Sequence, residues 1–314
     1  MKLSQELLNN LIEITSNSAI ACFPFIGKNE KILADKAATD VMRYQLNKLN
    51  IKGKVVIGEG ELDEAPMLYI GEELGTGVGP ELDIAVDPVE GTNFVAQNLP
   101  GSMSVLAVAE KGNLINAPET YMDKIATGNH IPKGSIDIDF SVKKNINIYS
   151  EITKKKASEI TVCILNRPRH KKIIDELQKL NVNIKFITDG DIYGALLVSK
   201  KKYNVDIFMG IGGGPEGVIA ATALDSLNCN FQGRFLFKTQ EDIERAKEMG
   251  IKDLNKKYEI NEIVKGESIF CATGITSNDL MKGVTKENKK YITETIITHN
   301  KSDIKLVKKV ISLT

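Results

Sequence analysis

Residues 83–92 read DIAVDPVEGT, an apolar run that ends in Asp87, meets Pro88 and then presents Glu90, Gly91 and Thr92. Residues 82–86 have the continuous apolar character of a buried strand, and proline biases the residue before it to extended backbone, so the pattern predicts a strand that stops at Pro88. The Asp87 carboxylate is then expected at the rim of the sheet, with Glu90 facing the same space. Gly91 lets a ligand approach the backbone closely. A helix starting there, over 91–98, would aim its free N–H groups and positive dipole end at a phosphate oxygen, with the Thr92 hydroxyl beside it. Taken alone, the segment also fits a plain turn whose acids cap a helix.

Working outward, residues 4–22 and 34–49 carry helical periodicity, 54–58 (KVVIG) is a short β-branched run, and 103–110 is another apolar strand. A second series alternates from residue 160: strand 160–165, helix 169–180, strand 182–187, helix 192–201 and strand 205–211, with Gly212, Gly213 and Gly214 leading into a helix that opens at Pro215. Such alternation predicts an α/β protein with a mostly parallel sheet and ligand groups gathered at the strand ends. The lysine-rich stretch 151–158 (EITKKKAS) is the candidate boundary between an N-terminal lobe, 1–155, and a C-terminal lobe, 156–314. Residues 291–311 are expected to close the chain with a hairpin turning near 299–303.

Composition narrows the function classes. Lys plus Arg and Asp plus Glu are 41 each in 314 residues, so no overall positive field gathers a polyanion, and a nucleic-acid role is disfavoured. The four cysteines, Cys22, Cys163, Cys229 and Cys271, form neither a CxxC pair nor a disulfide framework and read as buried thiols of a reducing compartment. The N-terminus lacks the apolar core of a signal peptide, and the most apolar stretch, 205–224, is interrupted by Asp206, Pro215, Glu216 and glycines. A cytoplasmic protein with no membrane span is the expectation.

Further acids stand where chemistry would need them. In residues 57–64, IGEGELDE, Gly58 and Gly60 flank Glu59 and leave its carboxylate accessible, while Asp35 sits in a helical pattern. Hard cations prefer carboxylate oxygens, and a two-metal site draws its acids from distant segments. Glu61, Asp63 and Glu64 read as surface acids. Residues 210–217, GIGGGPEG, contain a formal GxGxxG, but no acid follows at the spacing a dinucleotide fold needs, and Pro-Glu interrupts the turn. Glu216 suits a metal ligand or a base toward water, or simple dipole compensation. Arg167-Pro168-Arg169 and Asp189-Gly190-Asp191 each follow a predicted strand. Paired arginines chelate phosphate and short acids accept sugar hydroxyls, although a helix start and a tight turn would also explain these triplets.

Together, ADKAA, VVIGEGELDEAPMLYIGEELGTG, DIAVDPVEGT, LINAPETYM, RPRH, DGD, GIGGGPEG, FCATGIT and TET resemble, in order and over most of the chain, the class II fructose-1,6-bisphosphatases, GlpX-type members of the lithium-sensitive, metal-dependent phosphatases. The resemblance implies a layered α/β/α/β/α sandwich of the fructose-bisphosphatase and inositol-monophosphatase type, with two lobes. It implies two or more Mg2+ or Mn2+ ions held by Asp35, Glu59, Asp87, Glu90 and Glu216, with Thr92 and Glu216 as the catalytic groups. It also implies substrate contacts from Glu90, Gly91, Thr92, Tyr121, Arg167, Pro168, Arg169, Asp189, Gly190, Asp191 and Gly213. Tyr121 enters only through the resemblance. The implied reaction is removal of the 1-phosphate of fructose 1,6-bisphosphate by a metal-activated water, in a homo-oligomer, dimer or tetramer. Sedoheptulose 1,7-bisphosphate, or both sugars, is the nearest alternative, and a silent sugar-phosphate-binding protein is the alternative outside enzymes. One departure is Asn29-Glu30-Lys31 where the family usually has Gly-Asp-Lys, and the segment after Arg234 is shorter than in many relatives.

Overall fold

A computed structural model describes residues 3–58, 67–299 and 303–312. Helices α1 (Gln5–Cys22) and α2 (Lys31–Leu46) open the chain, with the Ser4 side chain capping α1 by accepting from the Leu7 N–H. Strands β1 (Lys52–Ile57), β2 (Glu73–Leu74) and β3 (Glu81–Glu90), helix α3 (Thr92–Gln97) and strand β4 (Met103–Glu110) follow. Next come β5 (Tyr121–Thr127), α4 (Val142–Thr153), β6 (Thr161–Leu165), α5 (Lys171–Lys179), β7 (Asn183–Ile187), α6 (Asp191–Leu196), β8 (Ile207–Gly213) and α7 (Gly214–Ser226). The chain continues through β9 (Asn230–Leu236), α8 (Gln240–Glu248), β10 (Tyr258–Glu259), α9 (Ile260–Ile263), β11 (Ser268–Gly274), β12 (Thr285–Glu287), β13 (Lys290–His299) and β14 (Lys305–Ser312).

The strands build two sheets, ordered β12-β13-β11-β4-β3-β1-β2, with β14 also on β13, and β10-β9-β5-β8-β6-β7. Alternate residues on a strand face opposite ways, and here both faces are apolar. On β4, Leu106 and Val108 join a core with α1, while Val105, Ala107 and Ala109 join a core with α6, α7 and the second sheet. The second sheet repeats the arrangement: Phe208 faces the central helices, whereas Ile207 and Met209 pack toward α4 and α5. Five layers result, α/β/α/β/α, as the resemblance implies.

Two expectations are corrected, the mostly parallel sheet and the strand end at Pro88. The sheets are mixed, because among the described residues only β1–β3, β6–β7 and β6–β8 pair in parallel, whereas β5 runs antiparallel to both β8 and β9. Sheet membership does not follow a division at residues 155 and 156: β5 belongs to the second sheet, and β11 to β14 return to the first. Strand β3 does not stop at Pro88. It continues to Glu90 across a β-bulge, with Asp87 opposite Val105 and Glu90 opposite Met103. A bulge has no ladder donor to lose, so proline is tolerated there. On a regular strand, residues three apart point to opposite faces; the extra residue turns Asp87 and Glu90 to the same side. The terminal hairpin of β13 and β14 forms as expected. Among the described residues, no helix is long and apolar enough to cross a membrane. All four cysteines are buried and unpaired.

Candidate active site

The strand ends and helix starts of both sheets open on one cleft of about 850 Å³, within the usual range for small-molecule sites. From the first sheet come Asp87, Glu90, Gly91 and Thr92; from the second, Arg167 and Arg169 after β6, Asp189 to Asp191 after β7, and Gly213 and Glu216 after β8. Gly91 and Gly190 start α3 and α6 in the left-handed region, at φ 75° and 82°, which explains glycine at both places. Tyr121, at the start of β5, lies beside Gly213 in the ladder and also lines the cleft.

The acids lie close enough for Glu216, Asp191 and Asp189 to act on Glu90 through their charges. Glu90 is 2% exposed and its Oε1 accepts from the Ile192 N–H at 2.7 Å, which ties β3 of the first sheet to α6. Burial pushes its carboxyl up to about 8; the charges of Glu216, Asp191 and Asp189 add to that, and a hydrogen bond with Asp87 opposes it. Burial also raises the carboxyl of half-buried Glu216, with Lys124 pulling it back. Asp87 is buried and accepts from the Val89 N–H at 3.1 Å.

Beneath these acids lies a lysine that the local sequence does not single out. Lys124 shares a strand face with Met122 and Ala126, is 2% exposed, pairs with Asp191, and donates to the Gly213 carbonyl at 2.7 Å. The other oxygen of Asp191, Oδ1, is buried without a hydrogen-bond partner among the described residues. Asp189 is held by the Asn93 side-chain amide at 3.1 Å. A Cβ on Gly212 would overlap the Asp191 carboxylate, and one on Gly213 the Glu216 carboxylate, so the glycines make room for acids.

The cationic wall is braced by one peptide unit. The Arg169 Nε–H donates to the Ile211 carbonyl at 2.8 Å, while the Ile211 N–H donates to His170 Nε2 at 2.7 Å. His170 is fully buried and its Nδ1 lies 2.7 Å from the Leu165 carbonyl, which fixes the neutral tautomer with the proton on Nδ1. Burial lowers its basicity accordingly. Lys238, Thr239 and Asp242, around the start of α8, complete the cleft together with Glu119, and none of these four stood out in the sequence.

Of the five proposed metal ligands, Asp87, Glu90 and Glu216 line the cleft. Glu59 lies outside the described residues, as do Glu61, Asp63 and Glu64. Asp35, on α2, does not line the cleft; its Oδ1 is buried without a hydrogen-bond partner among the described residues, and burial raises its carboxyl to about 6. Among the described residues, no three His, Cys, Asp or Glu side chains are grouped as a metal-binding cluster. The donors nonetheless suit a hard cation: Asp87, Glu90 and Glu216 bring carboxylate oxygens to one cleft. In the departing Asn29-Glu30-Lys31 run, Asn29 sits at φ 58°, where asparagine is among the best-tolerated side chains after glycine.

The model of the family described as bacterial fructose-1,6-bisphosphatase, glpX-encoded, matches residues 5–312. The chain is 42% identical over 299 residues to a D-fructose 1,6-bisphosphatase class 2/sedoheptulose 1,7-bisphosphatase of Trichodesmium erythraeum, covering 87% of this chain and 86% of that protein. It is 43% identical to a protein of the same description from Prochlorococcus marinus (strain MIT 9515), covering 91% and 90%. Among solved structures, a Thermotoga maritima IMPase aligns with a TM-score of 0.33 and 11% identity over 64% of this chain and 80% of that one. With a family match running almost from end to end, this chain belongs to the glpX-encoded bacterial fructose-1,6-bisphosphatases.

Proposed function

We propose that the protein hydrolyses the 1-phosphate of fructose 1,6-bisphosphate to fructose 6-phosphate and phosphate, a step of gluconeogenesis, and acts on sedoheptulose 1,7-bisphosphate as well. The observation that carries this reading is a single cleft lined both by grouped carboxylates and by cations that have no carboxylate partner. Among the described residues, neither Arg167 nor Arg169 forms an ion pair. A sugar with a phosphate at each end needs both kinds of wall, one to bring metal to the reacting phosphate and one to hold the other phosphate.

Asp87, Glu90 and Glu216 would hold Mg2+ or Mn2+, with Asp35 and Glu59 completing the set. The chemistry such ions supply when bound is neutralisation of the phosphoryl oxygens and a water acidic enough to attack at neutral pH. Thr92, first residue of α3, orients that water through its hydroxyl, and Glu216 accepts the proton. Gly91 admits the phosphate to the backbone. The unpartnered Asp191 Oδ1 and the fixed Asp189 accept sugar hydroxyls, and Arg167 and Arg169 hold the far phosphate so that the reacting end is aligned.

The test is phosphate release from a panel of sugar bisphosphates by purified protein, with Mg2+, with Mn2+ and after exhaustive chelation. Turnover of the fructose and sedoheptulose bisphosphates that chelation abolishes and either metal restores is the expected result. No release from any of them would make the protein a sugar-phosphate binder instead, and turnover that survives chelation would remove metal from the mechanism.

A further inference from the structure

Tyr121 is 37% exposed, unusual for an aromatic residue at the start of an otherwise buried strand. Two cations share its ring. Arg169 Cζ lies 5.1 Å from the ring centroid and Lys238 Nζ 4.1 Å from it. They arrive from different elements, Arg169 from the turn after β6 and Lys238 from the loop between β9 and α8.

Both are held at the backbone or stem. Arg169 is fixed to the Ile211 carbonyl. The backbone N–H groups of Lys238 and Thr239 each donate at 3.0 Å to Asp242 Oδ2, while the Asp242 N–H donates to Thr239 Oγ1, a capping box that sets where the lysine leaves the chain. Arg167 lines the same cleft, and among the described residues none of the three cations forms an ion pair. Like charges gathered around one aromatic ring repel unless an anion joins them. A phosphate dianion fits.

The two kinds of cation differ in what they hold. Guanidinium groups after one strand offer a planar fork and favour one phosphate position, whereas an ammonium on a four-carbon stem is a mobile point charge. Lengthening the sugar by one carbon moves the far phosphate by roughly one C–C bond, about 1.5 Å. We infer that Lys238 is a specificity-determining residue: it supplies the third positive charge to the far phosphate and follows it outward, so that the cleft accepts the seven-carbon sugar beside the six-carbon one. This inference rests on the function proposed above.

The experiment compares Lys238→Met and Arg169→Met with the parent, measuring kcat and KM on both bisphosphates, and fructose 6-phosphate binding by calorimetry. Losing one charge-assisted contact is expected to raise KM for the seven-carbon substrate about tenfold, and for the six-carbon substrate by clearly less, with kcat changing less than KM. Arg169→Met should raise both KM values alike, and Lys238→Arg should restore the six-carbon KM more fully than the seven-carbon one. KM values within twofold of the parent for Lys238→Met, or an equal rise for both sugars, overturn the role of Lys238 and leave the proposed reaction standing. A parent protein that hydrolyses neither sugar overturns the reaction itself, and with it this inference.

Discussion

Replacing Lys124 by Met removes one half of an ion pair whose side chains are only 1% and 5% exposed. Methionine keeps nearly the same length and apolar stem, so the strand face it shares with Met122 and Ala126 stays filled and the change is mainly one of charge. Asp191 then remains buried without its ammonium, and the Gly213 carbonyl loses a donor at 2.7 Å. Breaking a buried pair from one side costs about 3–5 kcal/mol, and this range already includes groups left unpaired. Taking about 4 kcal/mol, and roughly 2 °C per kcal/mol for a protein of this size, the melting temperature should fall by about 8 °C. Urea and thermal melts of the parent, Lys124→Met, Asp191→Asn and the double variant form a cycle. The double variant should recover much of the loss, with a coupling of about 2 kcal/mol or more. A single-variant cost below about 1 kcal/mol, the range of exposed pairs, would refute the idea that Asp191 depends on this lysine.

Thr92→Ala should lower kcat about a hundredfold while KM moves by less than about threefold, since losing the orientation of the attacking group typically costs that much; turnover within a few-fold of the parent removes the role assigned to Thr92. His170 gives a pH prediction. Burial lowers its pKa in the folded protein, so on acidification the unfolded chain takes up the proton first. Stability therefore rises with pH through the ordinary imidazole range near 6.5 and falls below it, at up to about 1.4 kcal/mol per pH unit from this residue. Denaturation midpoints between roughly pH 5 and 7 should show a shallower slope for His170→Asn than for the parent; equal slopes would mean that the imidazole titrates alike in both states.

How far the sequence reaches is clearest in particular elements. Strand β4 is legible to the residue, because both its faces are buried and its apolar run is unbroken. The turn chemistry at Gly91 and Gly190 is equally plain, since both positions have positive φ and so favour glycine. Strand direction was not legible. Helices between β6, β7 and β8 suggest a parallel sheet, yet β5, a strand-length run carrying Asp123 and Lys124 in its middle, inserts antiparallel between β8 and β9, and nothing local announces it. Lys124 was hidden for the same reason, as a lysine in a strand normally reads as a solvent-facing residue. At Pro88 the sequence reading had the right outcome from the wrong cause: both acids do share one side, through a bulge in a continuing strand and not through a strand end. Lys238 belongs to a loop whose relation to Tyr121 depends on the β5–β9 pairing, which is a long-range property.

That β4 pairs with β11, across the whole of the second sheet, bears on the order of assembly. A nascent chain emerging from the ribosome finishes β5 to β10 before β11 has been made, so the later half of the molecule can condense while the earlier half still lacks its central partner. Long-range pairing of this kind is slow and leaves an apolar edge unprotected meanwhile. Truncation upstream of β11 would strand that edge, and chaperone demand during synthesis should peak in the interval between β4 and β11.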